Sequence, residues 1–413
     1  MHLNIDRSNW TKVKLGEVVE WYQKDIPNDL QSEQGIEYYL TASEIDGDEV
    51  KISRYKELRD GQKGPTITKR FEKGDLLLST RSVALRKAAI APVSGVTGEK
   101  LLVLRCIDGG QLVPKLMPFV FQSAHFWHFA QNSASGSVNK FTSWTKLANY
   151  EFLLPPKDQQ AELAELLWAM DFEVESKISL MNTTTAFVES KLKALLMGEV
   201  QTTRRETKLG PINADWECHT LETLIKRETI SSHLDGNHGS YYPRSEEFVD
   251  NGVPYVSANC IDENEISLAN AKYLTEDRAA TIKKGVALNG DILLAHNATV
   301  GPVAKLQTKL EKVILGTSLT YYRVNENKMN SDYLFYFMKS RLFQAQLEKV
   351  MSQSTRNQVP ITTQRSLLFI VPPISTQNHL VSELNRIDHL RKELKMMVRK
   401  SKSLQKSIIN QII

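Results

Sequence analysis

The chain has 413 residues, 41% of them hydrophobic and 24% charged, with a formal net charge of +4. That is an ordinary globular composition, long enough for two or more cores, and no run approaches the ~18 consecutive apolar residues of a membrane span. Three isolated cysteines (Cys106, Cys218 and Cys260) form no CxxC pair, which excludes a disulfide scaffold and points to a reducing cytoplasm.

The first residues, MHLNIDRSNW, lack a basic stretch followed by an apolar run, so no secretory signal is expected. Short strands bounded by Gly, Asp, Asn and Pro turns come next. Residues 51–100 carry twelve Lys/Arg against five Asp/Glu, a local excess of seven and the footprint expected for a phosphate backbone. Within this stretch a Gly74-Asp75 turn feeds the apolar strand 76–78. Residues 95–100, GVTGEK, superficially resemble a phosphate loop, but the spacing is wrong and Leu101 stands where Ser or Thr is needed, so they read as a turn. A helix follows over 114–131; its His125 and His128 have no companion ligands and read as surface or packing residues. Then come a polar loop (132–144), a last strand and Pro155-Pro156 with Gln159-Gln160.

The second half repeats this order. Trp10, Leu15 and Glu17 match Trp216, Leu221 and Glu222; Gly74-Asp75-Leu76-Leu77 matches Gly290-Asp291-Ile292-Leu293. Glu99-Lys100 matches Glu311-Lys312, the loop 132–144 matches 350–362, and Pro155-Pro156 matches Pro372-Pro373 with Gln377. A helix is expected over 331–351. An ordered internal repeat signals a duplicated architectural unit. Each half is read as an α+β domain, residues 1–156 and 208–373, followed by a long helical segment, 157–207 and 374–413.

In the first helical segment the apolar seam runs Leu163, Leu167, Met170, Val174, Ile178, Met181, Val188, Leu192 and Leu195. In the second it runs Leu380, Leu384, Ile387, Leu390, Leu394, Met397, Leu404, Ile408 and Ile412. The alternation of three and four is that of a coiled coil, and about 40 residues at ~1.5 Å make rods of roughly 60 Å. A single exposed seam needs a partner. Residues 158–176 hold six acids and no Lys or Arg, whereas 391–406 hold seven Lys/Arg and one acid. With the acids near one helix's start and the bases near the other's end, charge favours an antiparallel pair.

Two unlike domains, each ending in Pro-Pro-x-x-x-Gln and a long helix, resemble the specificity subunit of a Type I restriction-modification system. The resemblance covers the whole chain and rests on the ordered set of landmarks occurring twice. It implies two target-recognition domains, each reading one half of a bipartite, asymmetric DNA sequence, with the antiparallel helices setting the spacer between them. It also implies two methyltransferase subunits that carry S-adenosylmethionine, and restriction/translocase subunits that use ATP and Mg, with no cofactor bound by this chain and no membrane partner. Consistent with a non-catalytic chain, the Pro-Pro pairs lack the Asn/Asp-Pro-Pro-Tyr/Phe context of an amino-methyltransferase.

DNA readout calls for side chains offering paired hydrogen bonds to base edges, plus cations and hydroxyls for phosphates. The polar loops supply Ser135, Ser137, Asn139 and Lys140 in half one, and Thr355, Arg356, Asn357 and Gln358 in half two. Segments after the Gly-Asp strands supply Arg81, Ser82, Arg86 and Lys87, and His296, Asn297, Thr299 and Lys305. Tyr38, Thr41, Ser257 and Asn259 are weaker candidates. Two other readings are a self-contained restriction or modification enzyme, for which no catalytic motif is found, and a coiled-coil adaptor without DNA specificity.

Overall fold

The computed structural model describes residues 6–31, 34–58, 64–137, 140–197, 203–236, 242–352 and 357–413. The chain divides into two compact units: Met1–Leu180 with Leu394–Ile413, and Met181–Glu393. Both are α+β, and their four-stranded antiparallel sheets have the same strand order, while the mixed sheet has four strands in the first unit and five in the second.

In the first unit, Thr11–Lys14 pairs antiparallel with Glu151–Leu154, tying the domain's start to its end. A four-stranded antiparallel sheet runs Val19–Tyr22, Leu101–Cys106, Leu76–Ser79, Ala88–Ile90. A second sheet runs Lys56–Glu57, Tyr38–Leu40, Gly95–Gly98, Ile67–Phe71, with one parallel pair, Tyr39 beside Val96. The second unit repeats the ribbon with Glu217–Thr220 and Leu368–Val371. Its antiparallel sheet runs Ile230–Asp235, Leu319–Val324, Ile292–Asn297, Thr299–Lys305, and its mixed sheet again holds one parallel pair, Tyr255 beside Ile314.

The Gly-Asp landmark builds the centre of each sheet. Gly74 and Gly290 adopt φ of 95° and 92°, a conformation that glycine reaches without steric cost. The Asp that follows then turns inward. Asp75 Oδ2 accepts from the Glu72 backbone N–H at 2.7 Å, and Asp291 Oδ2 from that of Leu288 at 2.7 Å. A guanidinium grips each carboxylate with two bonds: Arg105 on Asp75 (2.7 and 2.7 Å) and Arg323 on Asp291 (2.9 and 2.7 Å). The strands released by this turn, Leu76–Leu78 and Ile292–Leu294, are fully buried, which explains their unbroken apolar run.

The Pro-Pro-Gln landmark is a junction. Gln160 donates to the Gln111 and Pro155 carbonyls and accepts from the Val113 N–H. Gln377 donates to the Pro372 carbonyl and accepts from the Asn330 N–H. Each glutamine is buried and locks the first turn of a long helix to the loop that enters its own domain. Those helices are Lys157–Met197 and Ile374–Ile412.

They run antiparallel. In the first unit Lys177 Nζ meets Ser401 Oγ at 2.7 Å, Gln405 Nε2 meets Asp171 Oδ1 at 3.4 Å, and Ile408, Ile409 and Ile412 share a core with Ala164 and Leu167. In the second unit Leu192 and Leu195 pack against the core that contains Leu380 and Val381.

Several sequence expectations change. The second helix's seam passes through 384, 387, 391, 394, 398, 401, 405, 408 and 412 rather than through Leu390, Met397 and Leu404. Those three are 55%, 47% and 39% exposed, whereas Val398 is buried. Apolarity misled the reading because Ser401 and Gln405 point inward to meet polar groups of the other helix. The complementary charges face the two domains more than each other. Lys402 and Lys406 bind Glu49 and Asp48, Lys392 binds Glu265, and Lys51 binds both Asp171 and Glu175.

The expected helix over 114–131 is two, Met117–Val120 and Ala124–Ser133, because Ser123 is extended and caps the second through the Phe126 N–H. The helix over 331–351 is likewise Ser331–Lys339 and Arg341–Met351, broken where the Ser340 hydroxyl donates back to the Phe337 carbonyl. Gly95–Gly98 is a strand rather than a turn; a Cβ on Gly95 would come within 2.4 Å of the Tyr38 carbonyl oxygen.

Candidate nucleic-acid interface

In each unit the hairpin turn after the Gly-Asp strand meets the polar loop before the last strand. In the first, the Thr142 N–H donates to the Thr80 carbonyl at 2.9 Å, and Arg81 forms a β-bridge with Phe141. Ser135 and Phe141 exchange two backbone bonds of 2.9 and 2.8 Å, which closes the loop between them. In the second, the Val359 N–H donates to the His296 carbonyl at 2.8 Å, and Asn297 bridges Gln358. Ala298, with φ of 64°, forms the hairpin tip, and its N–H donates to the Asn357 carbonyl at 2.9 Å. Arg81 and Phe141 thus occupy the places of Asn297 and Gln358. The two segments singled out in each half form one rim, although they lie about 55–60 residues apart in sequence.

Side chains on this rim divide into two groups. Arg81, Ser82, Ser137, Lys140, Thr299 and Asn357 are exposed, and Asn297 and Gln358 are half-buried. Others are engaged in structure. Arg86 lies 3.6 Å from Asp48, Lys87 donates to the Ala42 carbonyl, and Ser135 accepts from Lys146 at 2.6 Å, whereas Lys305 lies off the rim, beside Ile292 at the base of the hairpin, and binds Asp332 at 2.6 Å. His296 is buried beneath the rim. Asn139, Thr355 and Arg356 lie outside the described residues. Of the weaker candidates, Thr41 is taken up by Glu44, which accepts from both its N–H and its hydroxyl at 2.8 Å.

The first hairpin carries strain. Ser82 and Arg86 both adopt left-handed conformations, φ of 51° and 50°, around the turn Val83–Leu85. Such residues cost on the order of 1 kcal/mol or more each and persist where the surroundings over-determine them. Here Gly47 presses on the turn: a Cβ there would sit 2.2 Å from the Leu85 carbonyl oxygen. The basic excess of 51–100 is also less free than the sequence implied. Lys51, Arg54, Lys56, Lys69, Arg70 and Arg86 each have a carboxylate partner.

Beneath the second rim lies a buried polar network that the sequence reading missed. Gln364 Oε1 accepts from the Tyr322 hydroxyl at 2.7 Å and lies 3.1 Å from His233 Nε2, while its Nε2 donates to Thr320 Oγ1 and to the Val359 carbonyl. Burial pushes His233 down to about 4, against the pull of its bond to Gln364. In the first unit Leu147 ends the matching short helix in the place of Gln364 and is fully buried. The Arg105 and Arg323 clamps were missed too, although each follows its Gly-Asp at a similar distance, which was a usable signal.

Among the described residues there is no cluster of three or more His, Cys, Asp or Glu side chains placed to hold a metal ion. His128 instead contacts Asn132 at 2.8 Å. No described helix is long and apolar enough to cross a membrane.

Comparison with known proteins places this architecture. Residues 229–400 match the family model of the Type I restriction modification DNA specificity domain. The Type I restriction enzyme MjaVIII specificity subunit of Methanocaldococcus jannaschii is 25% identical over 279 residues, 64% of this chain and 61% of that protein. The putative type I restriction enzyme MjaX specificity subunit of the same organism is 24% identical over 215 residues, 49% of this chain and 48% of that one. The aligned regions thus span about six tenths and one half of those relatives' lengths. Among solved structures, the fold resembles a chain from a study of complex assembly and conformational transition in the type I R-M system. That match has a TM-score of 0.59 and 18% identity, covering 98% of this chain and 97% of the other. It also resembles the Type I restriction-modification system S subunit from M. genitalium, with a TM-score of 0.57 and 13% identity, covering 100% and 99%. Residues 229–400 are thus similar to a Type I restriction modification DNA specificity domain, and the chain shares the fold of these two solved structures.

Proposed function

We propose that this chain is the non-catalytic DNA reader of a Type I restriction-modification enzyme. One observation carries the reading: the same rim is built twice on the same scaffold, with different side chains at equivalent positions. A duplicated scaffold with unlike rims suits a bipartite, asymmetric target, since each domain then specifies its own half. Residues 1–156 and 208–373 are the two target-recognition domains in this proposal, and the paired helices set the spacer between half-sites. Two methyltransferase subunits supply S-adenosylmethionine, and restriction/translocase subunits supply ATP- and Mg-dependent work.

Methylome sequencing of the host with and without this chain tests the proposal. A bipartite motif that disappears with the chain supports it. Replacing residues 1–156 with another such domain should then change one half-site only. A purified chain that methylates or cuts DNA alone would establish a self-contained enzyme instead.

A further inference from the structure

The equivalence between the two rims reaches individual residues, and the residues differ in chemistry. At the bridge joining hairpin turn to polar loop, the first domain has Arg81 opposite Phe141. Phe141 is 44% exposed, and the Arg81 guanidinium lies over its ring, 5.7 Å from the centroid. Elsewhere in this domain Arg86 and Arg105 are drawn to carboxylates. At the same bridge the second domain has Asn297 opposite Gln358, two half-buried amides.

These pairs differ in what they can recognise on duplex DNA. A guanidinium offers two parallel donors that fit guanine O6 and N7, and an apolar ring fits the thymine C5-methyl group. A carboxamide offers one donor and one acceptor, the complement of adenine N7 and N6. Because the members of each pair face each other across one bridge, they can reach the same base pair or two adjacent ones.

We propose that the two domains read their half-sites by different chemistry. Arg81 and Phe141 recognise a guanine next to a thymine methyl, and Asn297 and Gln358 recognise adenine edges. The guanidinium lies 5.7 Å from the ring centroid, a weak contact at an exposed site, which biases its position before DNA arrives. Arg86 and Lys87, engaged within the first domain, support this rim and do not read bases. This assignment rests on the DNA-reading function proposed above.

The test uses the full chain assembled with its methyltransferase subunits, and methylome sequencing of wild type and of R81A, F141A, N297A and Q358A. R81A should relax a G·C pair in one half-site and F141A an adjacent T·A pair. N297A and Q358A should relax A·T pairs in the other half-site. Competition binding with wild-type complex provides a second measurement that requires no variant. Replacing the guanine by 7-deazaguanine, or an adenine in the other half-site by 7-deaza-adenine, should weaken binding about 5- to 150-fold. Deoxyuridine in place of the thymine should weaken only the first half-site.

Relaxation at other base pairs, or wild-type motifs from all four variants, overturns the assignment. So does an R81A complex that binds every sequence more weakly by one common factor with a shallower salt dependence, the signature of a phosphate contact. A wild-type complex that yields no bipartite motif would instead remove the underlying DNA-reading proposal.

Discussion

Lowering the pH from 7 to 5 should weaken the second domain and leave the first nearly unchanged. His233 is buried, and among the described residues its ring bonds only through Nε2, to Gln364, whose oxygen also accepts from Tyr322. Nδ1 has no partner among the described residues, so a second proton there would place a charge in the interior with no acceptor. Arg365 and His296 oppose the charge, and Asp235 offsets them only in part. The ring is therefore held to about 4, against 6.5 in the unfolded chain. Between these values the unfolded state binds more protons, so stability is complete above about 6.5 and falls as pH drops towards 4. Linkage gives a loss of about 2 kcal/mol at pH 5 and about 3 kcal/mol once pH is below both values. In the first domain burial pushes Glu44 up, but hydrogen bonds from Ser43, Lys56 and Thr41 outweigh it and hold the carboxyl at about 2, against 4.5. Its contribution is present above about 4.5 and is lost as pH falls through 2, a different window. Urea unfolding read by hydrogen-exchange mass spectrometry, with the labelling pulse at one fixed pH, separates the domains. The Ile230–Asp235 and Leu319–Val324 strands should lose protection at lower urea at pH 5 than at pH 7. In H233Q, which retains a donor towards Gln364 but cannot titrate, that difference should shrink to a small fraction. An unchanged pH shift in a folded H233Q protein would refute the reasoning.

Three further outcomes follow from the packing. D291N leaves the half-buried Arg323 guanidinium without its paired acceptor and should cost the second domain about 2–4 kcal/mol, while D75N should cost the first about the same; denaturant unfolding of the single and double variants should show additive losses. On the second long helix, V398D should destabilise by at least ~3 kcal/mol and L404D by no more than about 0.5 kcal/mol, a contrast read by thermal unfolding that the apolar seam of the sequence alone would reverse. Deleting seven residues from each long helix, 182–188 and 389–395, preserves the heptad seam and removes about 10 Å of helix, so the DNA spacer mapped by methylome sequencing should shorten by about 3 base pairs.

The landmarks legible in the sequence are those whose role is local. A glycine that must adopt positive φ, a strand buried on both faces and a proline pair ahead of a helix leave recurrent patterns, so the Gly-Asp turns and the Pro-Pro-Gln junctions could be aligned by eye. The rim was half legible: both segments stood out as polar, but their meeting depends on backbone pairing between residues such as Arg81 and Phe141. Which side chains remain available there depends on partners that sequence order does not announce, such as Asp48 for Arg86 or Ala42 for Lys87.

Local stereochemistry and periodicity, both written in the order of residues, thus determined the duplication, the α+β class and the two long helices. Long-range packing alone decided which face of the second helix is buried. Ser401 and Gln405 turn inward because Lys177 and Asp171 wait on the other helix, and hydrophobicity cannot report a polar contact. Tertiary structure likewise assigned half of the basic cluster to ion pairs and left Arg81 with Phe141, and Asn297 with Gln358, at the two equivalent places of the repeated rim.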